Sequence, residues 1–330
     1  MRVLSLCLSI TLITGEYSER FDNWVSQYKY DFNNKKHYYN VLKKWMINDE
    51  YIDFVNNDNR TYKLGHNQFS GMDEFDFIQY IIGNRIITPS RLKYTGQNIT
   101  EPILELSTFI DWRQYNAVTP VKDQGQCGSC WAFSTTGALE GVYAINSNKL
   151  VSFSEQELVD CDNFKNGGKD HGCNGGIMDN AFEWISKNGG LCTEQDYPYI
   201  SSNGQTQQCQ KTCTSIPKSK IQKWIDVEAN DESFMTALNK QPVSVAIQAD
   251  QREFQLYSSG VYTANCGTSL DHGVLTVGYD SQDNEDYYIV KNSWGTTWGE
   301  QGYIKLGRGP QYNEGQGQCG ILLEASYPVL

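Results

Sequence analysis

No apolar run in this chain reaches the ~18 residues that a bilayer-spanning helix needs, which excludes a helical membrane span. Positive charge is scarce: 27 Lys and Arg stand against 39 Asp and Glu, and the net charge is −12. A nucleic-acid binder needs a basic face that releases counterions, and a protein docking on anionic lipid needs the same. The charge balance argues against both partners. There are no internal repeats and no low-complexity tracts. His37, His66, His171 and His272 are the only histidines. They form no His-x-His cluster and no second Cys-x-x-Cys pair accompanies them, so a zinc site lacks ligands. No proline precedes Pro89, and no cysteine lies between residues 16 and 105.

What is present divides the chain in three. A length of 330 residues suggests roughly two domains at about 150 residues each, and a 39% apolar share supplies a core. Arg2, an apolar stretch from Val3 to Ile13 and then Thr14-Gly15 make a secretory signal peptide over residues 1–15. Cys7 leaves with it. Nine cysteines then meet an oxidising compartment, and because nine is odd, one thiol should remain outside the disulfides. Residues 16–105 are near neutral, with helical spacing at Phe21, Trp24, Val25 and Tyr28, then Tyr38, Leu42, Trp45, Ile52 and Val55. Pro89, Ser90, Gly96 and Pro102 mark a linker over 88–105. Residues 106–330 carry most of the negative charge and read as an α+β domain. Short β-rich runs lie at Val243–Ile247, Val274–Val277, Tyr287–Val290 and Tyr303–Leu306. A helix should start at Cys130 and run to about Ile145.

The chemistry concentrates in Gln124-Gly-Gln-Cys-Gly-Ser-Cys130-Trp-Ala-Phe133. Its glycines form a tight loop, and Cys130 opens the helix. Unpaired N–H groups and the partial positive charge of a helix N-terminus stabilise a thiolate, which is the reactive form of cysteine. A thioredoxin-like use of Cys127 and Cys130 would need a βαβ unit that is not visible. A nucleophilic cysteine needs a base. His272 begins one β-rich run, and Asn292 closes the next, twenty residues on. In an antiparallel pair the two can lie side by side, so the amide can orient the imidazole.

With these blocks in order, the sequence resembles the papain-like cysteine proteases of the cathepsin L type. Asp111-Trp-Arg113, Ala117–Lys122, Gln124–Phe133, Cys173-Asn-Gly-Gly176, Tyr197-Pro-Tyr199, Asp271-His-Gly273, Asn292-Ser-Trp294 and Gly302-Tyr303 carry the resemblance. It implies a helical subdomain and a β-barrel-like subdomain with a cleft between them, preceded by a helical inhibitory propeptide over 16–105. The peptidase domain would span 106–330. It implies Cys130 as nucleophile, His272 as base, Asn292 as the group orienting it, Trp294 as its cover beside the substrate, and Gln124 as an oxyanion donor. The implied activity is a cysteine endopeptidase that forms a thioester, needs no metal or cofactor, and is made as a zymogen. Partners would be protein and peptide substrates, its own propeptide and cystatin-type inhibitors, with the enzyme a monomer. The location would be a lysosome, a vacuole or the exterior. A catalytically inactive binding protein on the same fold is the alternative, although such a protein would be expected to have lost Cys130, His272 or Gln124.

The resemblance also implies disulfides Cys127–Cys173, Cys161–Cys209 and Cys266–Cys319. Cys192 and Cys213 remain and are expected to pair, with Cys161–Cys213 and Cys192–Cys209 as the open alternative. The pocket for the second residue before the cut bond would be walled by Ile177, Met178, Ala246 and Leu270 and floored by Glu324. In the front segment the family's helical motif Glu, Arg, Phe, Asn, Ile, Asn falls on His37, Val41, Trp45, Asn48, Ile52 and Asn56. The Gly-x-Asn-x-Phe-x-Asp motif falls on Gly65, Asn67, Phe69 and Gly71, so its Asp is missing, with Asp73 two residues later. Asn59 and Asn98 begin glycosylation sequons.

Overall fold

The computed structural model describes residues 17–82, 106–210 and 213–330. The signal peptide, Cys7, the linker and Asn98 lie outside the described residues; Asn59 is exposed. None of the described helices is long and apolar enough to cross a membrane.

The front segment is helical, as its spacing predicts. Helix α1 covers 17–28 and α2 covers Lys35–Asn56, whose first turn is capped by the Asn34 side chain accepting from His37 N–H at 2.9 Å. The α2 residues Val41, Trp45, Ile52 and Val55 are buried. Phe21 and Trp24 of α1 close a small aromatic core on Val41 and Trp45. Strand β1 (Tyr62–Leu64) and helix α3 (Glu74–Ile82) follow.

In the remainder, β2 (Ile110–Asp111) precedes helices α4 (Cys130–Ser147), α5 (Glu155–Cys161) and α6 (Met178–Asn188), which pack around one core. Then come β3 (Lys223–Asp226), α7 (Asp231–Leu238), β4 (Val243–Ile247), α8 (Arg252–Gln255), β5 (Tyr257–Tyr262), β6 (His272–Gln282), β7 (Glu285–Lys291), β8 (Tyr303–Gly307) and β9 (Ala325–Val329). The sheet order is β1-β5-β8-β7-β6-β4-β9-β3, with β2 beside β6. Its β4, β6 and β7 neighbours are antiparallel.

Helix α4 leans closely on this sheet because position 137 is glycine. A Cβ there would come within 2.8 Å of Leu275 on β6. Under α4 the Lys122 ammonium reaches Glu140 at 2.9 Å and Glu155 at 2.5 Å. Burial alone would lower the Lys122 pKa, but the two carboxylates hold it above the usual lysine value. Nearby Lys291, bonded to Thr119 at 3.0 Å, is pushed down to about 8 by burial. Four disulfides join described residues: Cys127–Cys173, Cys161–Cys209, Cys192–Cys213 and Cys266–Cys319. Cys130 is in none of them.

The front segment docks through β1 on β5, with Tyr62 opposite Gly260. Phe69 and Phe77 set their edges against the Trp294 ring at 5.5 Å, and the Gln68 amide donates to Trp294 O at 2.6 Å.

Candidate active site

Cys130 is the first residue of α4, preceded by Ser129 and the Gly128 turn. That turn is held down by the Cys127–Cys173 disulfide and by Gly128 N–H donating to Cys173 O at 2.9 Å. His272 is the first residue of β6 and Asn292 directly follows β7. Antiparallel pairing of these strands brings His272 Nε2 to 2.7 Å from Asn292 Oδ1. Trp294 stacks on the imidazole at 4.6 Å, with its ring 24° from parallel, and is itself fully buried. The other imidazole nitrogen, Nδ1, is buried with no hydrogen-bond partner among the described residues. Gly273 carries the strand past Cys130: a Cβ there would lie 3.3 Å from the Cys130 carbonyl and 3.3 Å from Met178 Sδ.

Burial pulls His272 down to about 4, against the hydrogen bond to Asn292, which raises it. The imidazole is therefore neutral near pH 7 in this form. The group stacked on the buried imidazole is the Trp294 ring.

Gln124 is fully buried. Its amide donates to Cys127 O at 2.9 Å, and its carbonyl accepts from Ser293 Oγ at 2.6 Å. One amide N–H is committed to the Cys127 turn, and the other is directionally fixed beside it. Sequence reasoning passed over two residues of this frame. Ser293 locks Gln124, and the Tyr199 hydroxyl lies 2.8 Å from Ser129 Oγ and donates to Gln124 O at 2.8 Å. Both sit inside motif blocks quoted above, but nothing in the sequence marks them as supports of Gln124.

Ile177, Met178, Ala246, Leu270 and Glu324 are the residues that the resemblance assigns to the pocket. Ile177 caps α6 and Met178 begins it. Ala246 on β4 stands opposite Gly273 on β6, and Ala246 N–H donates to Glu324 O at 3.0 Å. The Glu324 carboxyl is pushed up by burial and by Asp226. Leu270 lies two residues before His272, and its side chain packs toward Gly320, 2.8 Å from where a Cβ there would be.

In the front segment, Asp73 pairs with Lys44 at 3.0 Å and does not fill the place of the missing Asp at position 71. A Cβ on Gly71 would meet Val41 at 2.8 Å and Trp24 at 2.9 Å. The two departures from the family pattern, Val41 and Gly71, therefore touch.

Comparison with known proteins places this geometry. The family model described as papain family cysteine protease matches residues 106–329. The chain is 46% identical over 304 residues to germination-specific cysteine protease 1 of Arabidopsis thaliana, covering 88% of this chain and 77% of the relative. Among solved structures it is similar to the cysteine protease Amb a 11 of ragweed pollen in its proform, with a TM-score of 0.82 and 36% identity over 95% of this chain and 94% of that one. It is similar to digestive procathepsin L 3 of Tenebrio molitor, with a TM-score of 0.79 and 35% identity over 95% and 99% of the two chains. The chain thus belongs to the papain family of cysteine proteases, and it is a cysteine endopeptidase made as a zymogen with an intramolecular propeptide.

Proposed function

We propose that Cys130 is the nucleophile, His272 the acid–base, Asn292 its orienting partner and Gln124 the oxyanion donor. The observation that carries the reading is the 2.7 Å bond from His272 to Asn292, on a strand that runs against the N-terminus of the Cys130 helix. Once the propeptide leaves, the uncovered imidazole takes the thiol proton. The Cys130 sulfur attacks the peptide carbonyl, and the oxyanion is held by the Gln124 side-chain N–H and the Cys130 backbone N–H. The imidazolium protonates the amine as the C–N bond breaks. Water then cleaves the thioester, giving one proton back to His272 and restoring the thiol. The reaction needs no cofactor.

The domain boundaries belong to the same reading: signal 1–15, propeptide 16–105, peptidase 106–330. A leader and four disulfides support entry into the secretory pathway, with a lysosome, vacuole or the exterior as destination. Substrates are proteins and peptides, and cystatin-type inhibitors would compete for the cleft. Ile177, Met178, Ala246 and Leu270 give the second-residue pocket an apolar wall. Glu324 at its floor adds acceptance of arginine, by pairing bidentately with guanidinium. The test is labelling of the acid-processed enzyme by an epoxide thiol inhibitor. One equivalent on Cys130, and none on Cys130→Ala, is expected. Undiminished cleavage by purified Cys130→Ala would overturn the assignment.

A further inference from the structure

Beneath the cleft wall lies a pair of acids that the mechanism does not use. Asp162 follows the end of α5, and Asp170 sits in the loop before Cys173; both are buried. Asp162 Oδ1 accepts from Lys169 N–H at 3.1 Å. Asp170 Oδ1 accepts from Ile177 N–H at 3.0 Å and from the Asn180 amide at 3.1 Å. Each acid keeps its Oδ2 buried with no hydrogen-bond donor among the described residues, and each carboxyl lies in the field of the other. Two buried carboxylate oxygens without donors are both satisfied if one proton lies between them. Burial raises both groups, and for Asp170 the neighbouring Asp162 charge raises it further. The other charges nearby are few. Glu183 on α6 acts on Asp162 and is itself paired with Lys169 and Lys187. His171, the next residue in the chain, turns to the Phe164 ring. Trp131, on α4, is uncharged.

The pair is built into the substrate wall. A Cβ on Gly176 would lie 2.6 Å from Asp170 Cγ and 2.5 Å from Trp131, the residue after Cys130. The Gly176–Ile177 backbone is thus pressed onto the Asp170 carboxyl on one side and onto the nucleophile's helix on the other. Resting on the assignment of Ile177 to the second-residue pocket, we propose that Asp170, through the proton it shares with Asp162, is a positioning residue that fixes the Gly176–Ile177 wall and so sets substrate binding. When the proton leaves, two buried like charges face each other, the Asp170 loop gives way, and Ile177 loses its anchor. Binding weakens on the alkaline side, while the Cys130–His272 chemistry continues.

The experiment measures kcat and KM against pH for a peptide with Leu at the second position, so that Glu324 plays no part. It uses enzyme processed from the full chain, with active sites counted by epoxide titration. In the wild type, KM should climb roughly five-fold or more from pH 5 to pH 8.5, as expected for one lost hydrogen bond, with kcat following its own profile. D170N keeps the acceptor for Ile177 and supplies a permanent N–H to Asp162, so its KM should stay flat at the low-pH value. D162N should flatten KM likewise. A KM in D170N that tracks the wild-type rise, or a wild-type KM that does not move, overturns the proposal. Loss of titratable sites in the wild type would instead count against the Cys130 assignment.

Discussion

At His272, burial and hydrogen bonding pull in opposite directions, and burial prevails while the propeptide is seated. A base whose folded pKa is depressed adds stability above its unfolded value of about 6.5, and that contribution fades as pH falls toward about 4. The expected outcome is that the imidazole of His272 in the zymogen stays neutral down to about pH 4 and becomes more basic once the propeptide is removed. Histidine NMR titration of both forms checks this; identical titration curves would reject it. Gln124 is tied at both ends of its amide, so Gln124→Ala should lower kcat about 10²–10³-fold with little change in KM. Glu324 is the third residue at this scale. Its raised pKa means the arginine preference should fade as pH drops through a value above the ordinary 4.5, while Leu cleavage holds. In Glu324→Ala the ratio of kcat/KM for Arg to that for Phe at the second position should collapse; an unchanged ratio removes Glu324 from specificity.

Elements are set against each other by small contacts. Strands β6 and β7 need only pair antiparallel for His272 and Asn292 to meet, and this was legible from their spacing. The Val41–Gly71 contact between α2 and the loop before α3 was not legible, because it joins two departures thirty residues apart. Each alone reads as a loss of charge, and together they form an apolar contact that leaves no room for a side chain at position 71. Gly71→Asp and Val41→Arg should each weaken inhibition by the propeptide, and the double variant should be less impaired than their sum. Inhibition constants for the four forms decide this, and strict additivity would refute it. The Cys192–Cys213 bridge closes a segment with a sequence separation of 21, which is worth about 3 kcal/mol in the chain-entropy model. Replacing both cysteines with serine should lower Tm by roughly 6–12 °C without changing kcat.

At the scale of the whole molecule, the front segment is held by polar anchors. Arg60, Tyr51 and Tyr62 converge on Glu253 of α8 at 2.9 Å each. Inside the segment, His66 stacks on Trp45 at 4.4 Å and bonds through Nε2 to Asp49 at 2.8 Å; Arg20 reaches the same oxygen at 2.6 Å. The His66 Nδ1 is buried with no partner among the described residues, so a second proton finds no acceptor there. Burial lowers the His66 pKa despite Asp49. The unfolded segment therefore binds this proton more readily, and segment stability falls as pH drops below about 6.5. The propeptide should inhibit the processed enzyme near neutrality and release in acid. His66→Leu should shift that release to lower pH, as read from inhibition in trans across a pH series; an unmoved midpoint would rule out the histidine as the sensor.

The sequence by itself determined the α+β class, the helical front segment and the helix that begins at Cys130, and its family resemblance singled out Cys130, His272, Asn292 and Gln124 as the proposed set. These follow from local signals: apolar periodicity, glycine turns and motif blocks in order. Tertiary structure alone decided what depends on groups distant in the chain sharing one buried space. The lowered pKa of His272 requires burial beneath the stacked Trp294 ring. The locked Gln124 requires Ser293 and Tyr199. The shared proton proposed for Asp162 and Asp170 requires both carboxyls to be removed from water together, and desolvation is a property of the packed fold that no stretch of sequence carries.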